Sequence, residues 1–158
     1  MNKSALIDKI IKALRSELET YVRAANSSHE EATAEENRAE NKYDTRGLEA
    51  SYLATGQANK VMELEDAIGA FEDLKAKSFD ESAIDVGALV ELDQNGEKAF
   101  YFIGPSAGGT EITDGVHEVL VITPQSPLGS QLQGAAQGKK MKINLAGRKQ
   151  AVEILAVS

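Results

Sequence analysis

Ser126-Pro127-Leu128-Gly129-Ser130-Gln131-Leu132-Gln133-Gly134, followed by Gly138-Lys139-Lys140-Met141, decides how the chain is read. Serine before proline suits a helix N-cap and first turn, where proline's missing N–H has no helical partner to lose. Leu128 then packs inward. A short helix is expected within 126–138, held between two strands. Working outward, His117 to Thr123 is Val- and Ile-rich and reads as a strand before it. Met141–Leu145 and Gln150–Val157 read as two strands after it, joined by Ala146-Gly147-Arg148. Further back, Val86–Leu92 and Lys98–Ile103 flank Asp93-Gln94-Asn95-Gly96, and Asn-Gly favours a tight hairpin. The C-terminal part is therefore expected to be an antiparallel sheet of about five strands with one helix on a face.

Before residue 78 the period changes from two to 3.6. Leu6, Ile7, Ile10, Ile11, Leu14, Leu18, Tyr21, Val22 and Ala25 form an apolar stripe at helical spacing. From His29 the large apolar residues disappear, and the run Glu30, Glu31, Glu35, Glu36, Glu40 reads as a solvated helical face. Tyr43-Asp44-Thr45-Arg46-Gly47 breaks the first helical stretch, expected over 3–41 as one helix or as two in series with a kink at Asn26-Ser27-Ser28. A second is expected from Leu48 to Lys77, with Leu53, Val61, Leu64, Ile68, Phe71 and Leu74 on one face. The apolar halves coincide at the root and the polar halves at the turn. This is an antiparallel helical hairpin, or coiled coil, with a hydrophilic tip. A 30-residue helix reaches about 45 Å. The expected domains are a hairpin over 1–77, a linker over 78–85 and a β domain over 86–158, an α+β chain.

Composition narrows the function. The 158 residues are 42% hydrophobic but 5% aromatic, with no Trp, which suits a small core plus an extended element. The chain has no Cys, so it has neither a disulfide framework nor a thiol nucleophile. The net charge is −8, shared evenly by residues 1–77 and 78–158, so duplex nucleic-acid binding is not expected. The first residues lack a signal-peptide core and no apolar run is long enough for a membrane helix, so a cytoplasmic protein is expected. His29 and His117 lack ligand-spaced partners. Gly104-Pro105-Ser106-Ala107-Gly108-Gly109 has no following Lys and is too loose for a phosphate loop.

A polar-tipped hairpin followed by Ile-Thr-Pro-Gln-Ser-Pro-Leu-Gly-Ser-Gln-Leu-Gln-Gly (Ile122–Gly134) resembles the Gre-type transcription elongation, or transcript cleavage, factors. The matching residues are Ile122, Ser126, Pro127, Leu128, Gly129, Leu132, Gly134 and Gly138, with Lys139 in place of the usual acid. Glu49-Ala50-Ser51-Tyr52-Leu53-Ala54 is similar to the start of the family's second helix, and the resemblance spans nearly the whole chain.

The resemblance implies a bacterial, cytoplasmic partner of RNA polymerase with an FKBP-like C-terminal domain. That domain docks on the rim of the secondary channel, here through Ser126, Pro127 and Leu128. It implies that the hairpin enters the channel and reaches the RNA 3′ end. Acids at the family's tip help hold a second Mg²⁺ of the polymerase active site, where extra carboxylates retain a weakly bound ion. The chain is then not itself an enzyme and has no cofactor of its own.

The tip departs from the family pattern Asp-Leu-x-Glu-Asn-Ala-Glu-Tyr. Here Thr45 stands at the Asp position and Leu48 at the Glu position, with Asp44 and Glu49 one residue to either side. Arg46 at the apex suits a carboxylate or an RNA phosphate. The register predicts weak or no stimulation of RNA cleavage, and a non-cleaving modulator or inhibitor of polymerase is the alternative. Two readings from other classes have their own requirements. A prolyl isomerase needs an aromatic-lined pocket. A hairpin chaperone needs apolar tips, and this tip is polar.

Overall fold

The computed structural model describes residues 1–38, 45–80 and 82–158, without the side chains of residues 25, 26, 28–38 and 45–55. Helix α1 runs Lys3–Arg38 and α2 runs Thr45–Glu72. The Asn2 side chain opens α1 by accepting the Ala5 N–H at 3.1 Å, satisfying one of the free first-turn donors. α1 is continuous through Asn26-Ser27-Ser28. α2 begins at Thr45, three residues before the expected Leu48, and ends at Glu72 rather than Lys77.

The chain divides into two compact units, one of Lys12–Ile68 and one of Met1–Ile11 with Gly69–Ser158. The first unit is the antiparallel hairpin. Leu14, Leu64, Ala67 and Ile68 are its buried residues among those described. Beyond Leu14 the expected stripe thins: Leu18 and Tyr21 are half-buried and Val22 is exposed. The facing stretch of α2 explains this, because Lys60 rather than an apolar residue meets Tyr21, its ammonium 5.9 Å from the ring centroid. Ala25 and Leu53 have side chains outside those described.

The second unit is a six-stranded sheet in the order β3-β4-β2-β1-β6-β5. Its strands are β1 (Leu89–Gln94), β2 (Glu97–Ile103), β3 (Glu111–Asp114), β4 (His117–Ile122), β5 (Lys140–Leu145) and β6 (Arg148–Val157). Helix α3 (Pro127–Leu132) lies between β4 and β5 in sequence. The α+β class and the single short helix are as expected. The sheet itself is mixed rather than wholly antiparallel. β2 and β4 pair in parallel, with Phe100 opposite Val119 and Ile103 opposite Ile122. The cause is β3, a strand of four residues with one buried apolar side chain, Ile112. After β2 the chain crosses through 104–110 to the edge, forms β3, and returns as β4 between β3 and β2. The crossover is tied by Gly109 N–H to Val121 O at 2.8 Å and Val121 N–H to Thr110 O at 2.8 Å.

The hairpin turns follow local chemistry. Asn95 and Gly96 both take positive φ, 57° and 88°, as a two-residue type I′ turn requires. Ala146-Gly147 does the same between β5 and β6, with Ala146 at φ 50°. Alanine is poorly suited to that region because its Cβ crowds the backbone.

One face of the sheet buries Val90, Leu92, Ile103, Ile122, Ile143, Val152 and Ile154 together with Leu128 and Leu132 of α3. Phe79 and Ile84, from the stretch read as a linker, belong to this same core. On the other face Phe71 of α2 meets Phe102 at 6.2 Å between ring centroids. Gly104 makes room for it: a Cβ there would lie 2.9 Å from Phe71 Cζ and 2.8 Å from Val121 Cγ1. Burying an aromatic this completely stabilises by about 1.5–3 kcal/mol. The start of α1 is held by Lys9, whose ammonium meets the Asp114 carboxylate at 2.6 Å. Lys3 sits over the Phe79 ring at 4.6 Å and donates to the Lys77 carbonyl.

Candidate partner-docking site

Ser126 has an extended backbone (φ −67°, ψ 156°) and caps α3. Its hydroxyl accepts the Gly129 N–H at 3.0 Å and donates to the Thr123 carbonyl at 2.7 Å. Ser126 N–H also donates to Thr123 O at 3.0 Å. Pro127 occupies the first helical turn, where its ring pre-sets φ. Gly129 is fixed by packing. A Cβ there would stand 1.9 Å from Thr123 O and 2.8 Å from Ser126 Oγ, so no side chain fits without moving backbone.

The segment is then clamped from three sides. Leu128 and Leu132 enter the core beside Ile84 and Ala135. Ile84 N–H donates to Ala135 O at 2.8 Å, and Gly134 N–H donates to Ile84 O at 2.9 Å, with Gly134 at φ 79°. Gln131 acts as a substitute strand for β5: its Oε1 accepts Asn144 N–H at 2.7 Å and its Nε2 donates to Asn144 O at 3.1 Å. Gln133 Nε2 donates to Asp85 Oδ1 at 2.9 Å. That bond first, and the Val86 N–H second, hold the Asp85 carboxyl below the usual carboxylate range.

Of the three residues expected to dock, Ser126 is half-buried with its hydroxyl used twice, and Leu128 is 7% exposed. Pro127 is exposed, and Ser130, Gln133 and Gly134 share the surface with it. No ionisable residue lies in 126–134. The turn therefore offers a rigid, neutral contact surface and no acid–base chemistry. The roles of Ile84 and Gln131 have no sequence signal, because each bonds backbone groups distant in the chain: Ile84 those of Gly134 and Ala135, Gln131 that of Asn144.

At the hairpin tip, Asp44 lies outside the described residues. Arg46 and Glu49 are in the first turns of α2, and their side chains also lie outside those described. His29 has its side chain outside them as well. His117 is exposed and its ring lies tilted against Phe100, ring centroids 4.6 Å apart. Among the described residues no group of three or more His, Cys, Asp or Glu is placed to hold a metal ion. Among them, too, no helix is long and apolar enough to cross a membrane. Phe71 and Phe102 are fully buried, and the Tyr101 hydroxyl accepts from Gln94 Nε2 at 3.0 Å.

No protein-family model matches the chain, and no curated protein matches it. Solved structures similar to it include GreA factor homolog 1 (Gfh1) of Thermus thermophilus, at 19% identity over 94% of each chain with a TM-score of 0.40. Gfh1 of Thermus aquaticus is 20% identical over 92% of each chain, TM-score 0.40. The prokaryotic transcription elongation factor GreA/GreB from Nitrosomonas europaea is 17% identical over 65% of this chain and 90% of that one, TM-score 0.35.

Proposed function

We propose that this chain is a Gre-type regulator of transcription elongation that binds RNA polymerase. Its sheet unit docks at the rim of the secondary channel and its hairpin enters the channel toward the RNA 3′ end. The observation that carries the reading is the Ile122–Gly134 segment. Its Ser-Pro-Leu-Gly resembles the Gre-type pattern, and each of these residues has a defined role in a rigid surface turn. Pro127 provides the exposed contact, while Ser126 and Leu128 hold it in place.

The chain supplies no catalytic residue or cofactor of its own; any metal is the polymerase's Mg²⁺. Thr45 and Leu48 stand where the family pattern has acids, so the hairpin occupies the channel without strongly promoting cleavage. In stalled, backtracked complexes the chain binds and produces little RNA shortening. Robust cleavage removed by Asp44→Ala or Glu49→Ala would overturn the tip register. Failure to co-elute with core polymerase would overturn the whole reading.

A further inference from the structure

We propose that the outer edge of β5 takes an extended polypeptide strand carrying acidic residues at alternate positions. The inference goes beyond the polymerase reading and rests on a different part of the molecule. Although the chain carries −8, its charge is segregated. No Asp or Glu occurs from Val119 to Val152, while Lys139, Lys140, Lys142, Arg148 and Lys149 fall within that span. These residues cluster on the β5–β6 hairpin at one end of the sheet.

The edge has the geometry to add a strand. In an antiparallel ladder, backbone groups point alternately to the neighbour and away from it. Asn144 points away, since both its N–H and C=O bond to the Gln131 side chain. Lys140 and Lys142 share its parity, so their N–H and C=O groups face outward too. Ile154 N–H donating to Lys139 O at 2.9 Å fixes the same register. Gln131 thus shows the bonding this edge accepts, at one position, and leaves two positions beyond it.

Side chains specify the occupant. Lys140, Lys142 and Asn144 are exposed on one face, whereas Met141 and Leu145 are half-buried on the core face. An added strand alternating acidic and aliphatic residues would set its carboxylates beside the lysines and its aliphatic groups over Met141. Glu153 lies opposite Lys140 and Asp93 opposite Glu153. Both are on the inner side, one and two strands away from Lys140. An incoming strand packs about 4.8 Å from β5 and about 10 Å from β6, so the lysines dominate its field. A nucleic acid is less suited: no Phe, Tyr or Trp follows Phe102 to stack a base, and the outward C=O groups of the ladder edge would face phosphate oxygens without a donor.

The test is titration of the full chain into a labelled ten-residue peptide alternating Glu and Val, followed by anisotropy, with amide exchange of Lys142 N–H at saturation. Expected are saturable binding, protection of that amide, and about tenfold weaker binding by the Lys140→Gln/Lys142→Gln double variant. Lys98→Gln, a single Lys-to-Gln change on β2 away from this edge, leaves binding unaltered. Equal binding by the double variant, or no protection of Lys142 N–H, overturns the proposal. So does tighter binding of a ten-residue oligouridine at the same lysines. Self-association of the double variant without peptide binding by the parent would reduce the lysines to edge protection and also overturn it. No polymerase enters the measurement, so its failure and the failure of polymerase binding are separate results.

Discussion

Replacing Gly129 by alanine tests whether the Ser-Pro-Leu-Gly turn is a packed device. The added Cβ would lie 1.9 Å from the Thr123 carbonyl oxygen, where a comfortable contact is about 3.5 Å. Either α3 or Thr123 must move by about 1.5 Å. Overpacking of this kind costs about 1–3 kcal/mol. The shift also breaks the cap, since Gly129 N–H and Thr123 O are the two partners of the Ser126 hydroxyl, adding about 1–2 kcal/mol. The sum, about 2–5 kcal/mol, is a large part of the 5–15 kcal/mol typical of a whole domain. At about 2–4 °C per kcal/mol the melting temperature falls by about 4–20 °C. The assay is thermal unfolding by circular dichroism, with amide exchange at Ile84 as a local probe, because its N–H bonds Ala135 just beyond α3. The hairpin unit should keep its own exchange pattern. A variant melting within about 1 °C of the parent, with Ile84 still protected, would refute the reasoning.

Gly69→Ala should raise stability by about 0.5–1 kcal/mol, since Gly69 is helical, has no positive φ and a Cβ there meets nothing within 4 Å; denaturant titration checks it. Ala146→Asn should stabilise by up to about 1 kcal/mol, because Asn tolerates the φ of 50° that alanine resists; a falling urea midpoint would contradict this. The Asp114 carboxyl is held below its ordinary range chiefly by its bond to Lys9. A depressed carboxylate pKa stabilises the fold above the unfolded-state value, and that contribution disappears as pH falls through the folded value. Lys9→Met should therefore raise the Asp114 pKa in a carboxyl NMR titration and remove part of the acid-side loss of stability. An unchanged Asp114 titration would mean that the ion pair is not formed in solution.

Much of this architecture is legible residue by residue because the signals are local. Asn95-Gly96 specifies its turn, Ser126-Pro127 its helix start, and the 3.6-residue stripe from Leu6 to Leu14 its buried face. What the sequence hides is nonlocal. β3 carries too few apolar residues to show alternation, and the parallel β2–β4 pair exists only because β3 sends the chain around β4. Phe79 and Ile84 sit singly among polar residues, so their stretch reads as a linker although both are core. At the Ser126–Gly134 turn the motif is legible, but that Pro127 is exposed, Leu128 buried and Gly129 too close to the Thr123 carbonyl for a side chain needs the fold. Gln131's service to β5 needs the strand register and has no sequence signal.

The central claim is that the hairpin tip enters the polymerase channel, and the lack of cysteine makes it directly measurable. A single Arg46→Cys change creates the one attachment point for an iron chelate that generates hydroxyl radicals. Bound to a stalled elongation complex, the labelled chain should cut polymerase segments around the active site and the RNA near its 3′ end. Cuts confined to the outer surface of polymerase, or none above those of the unlabelled chain, would contradict the account.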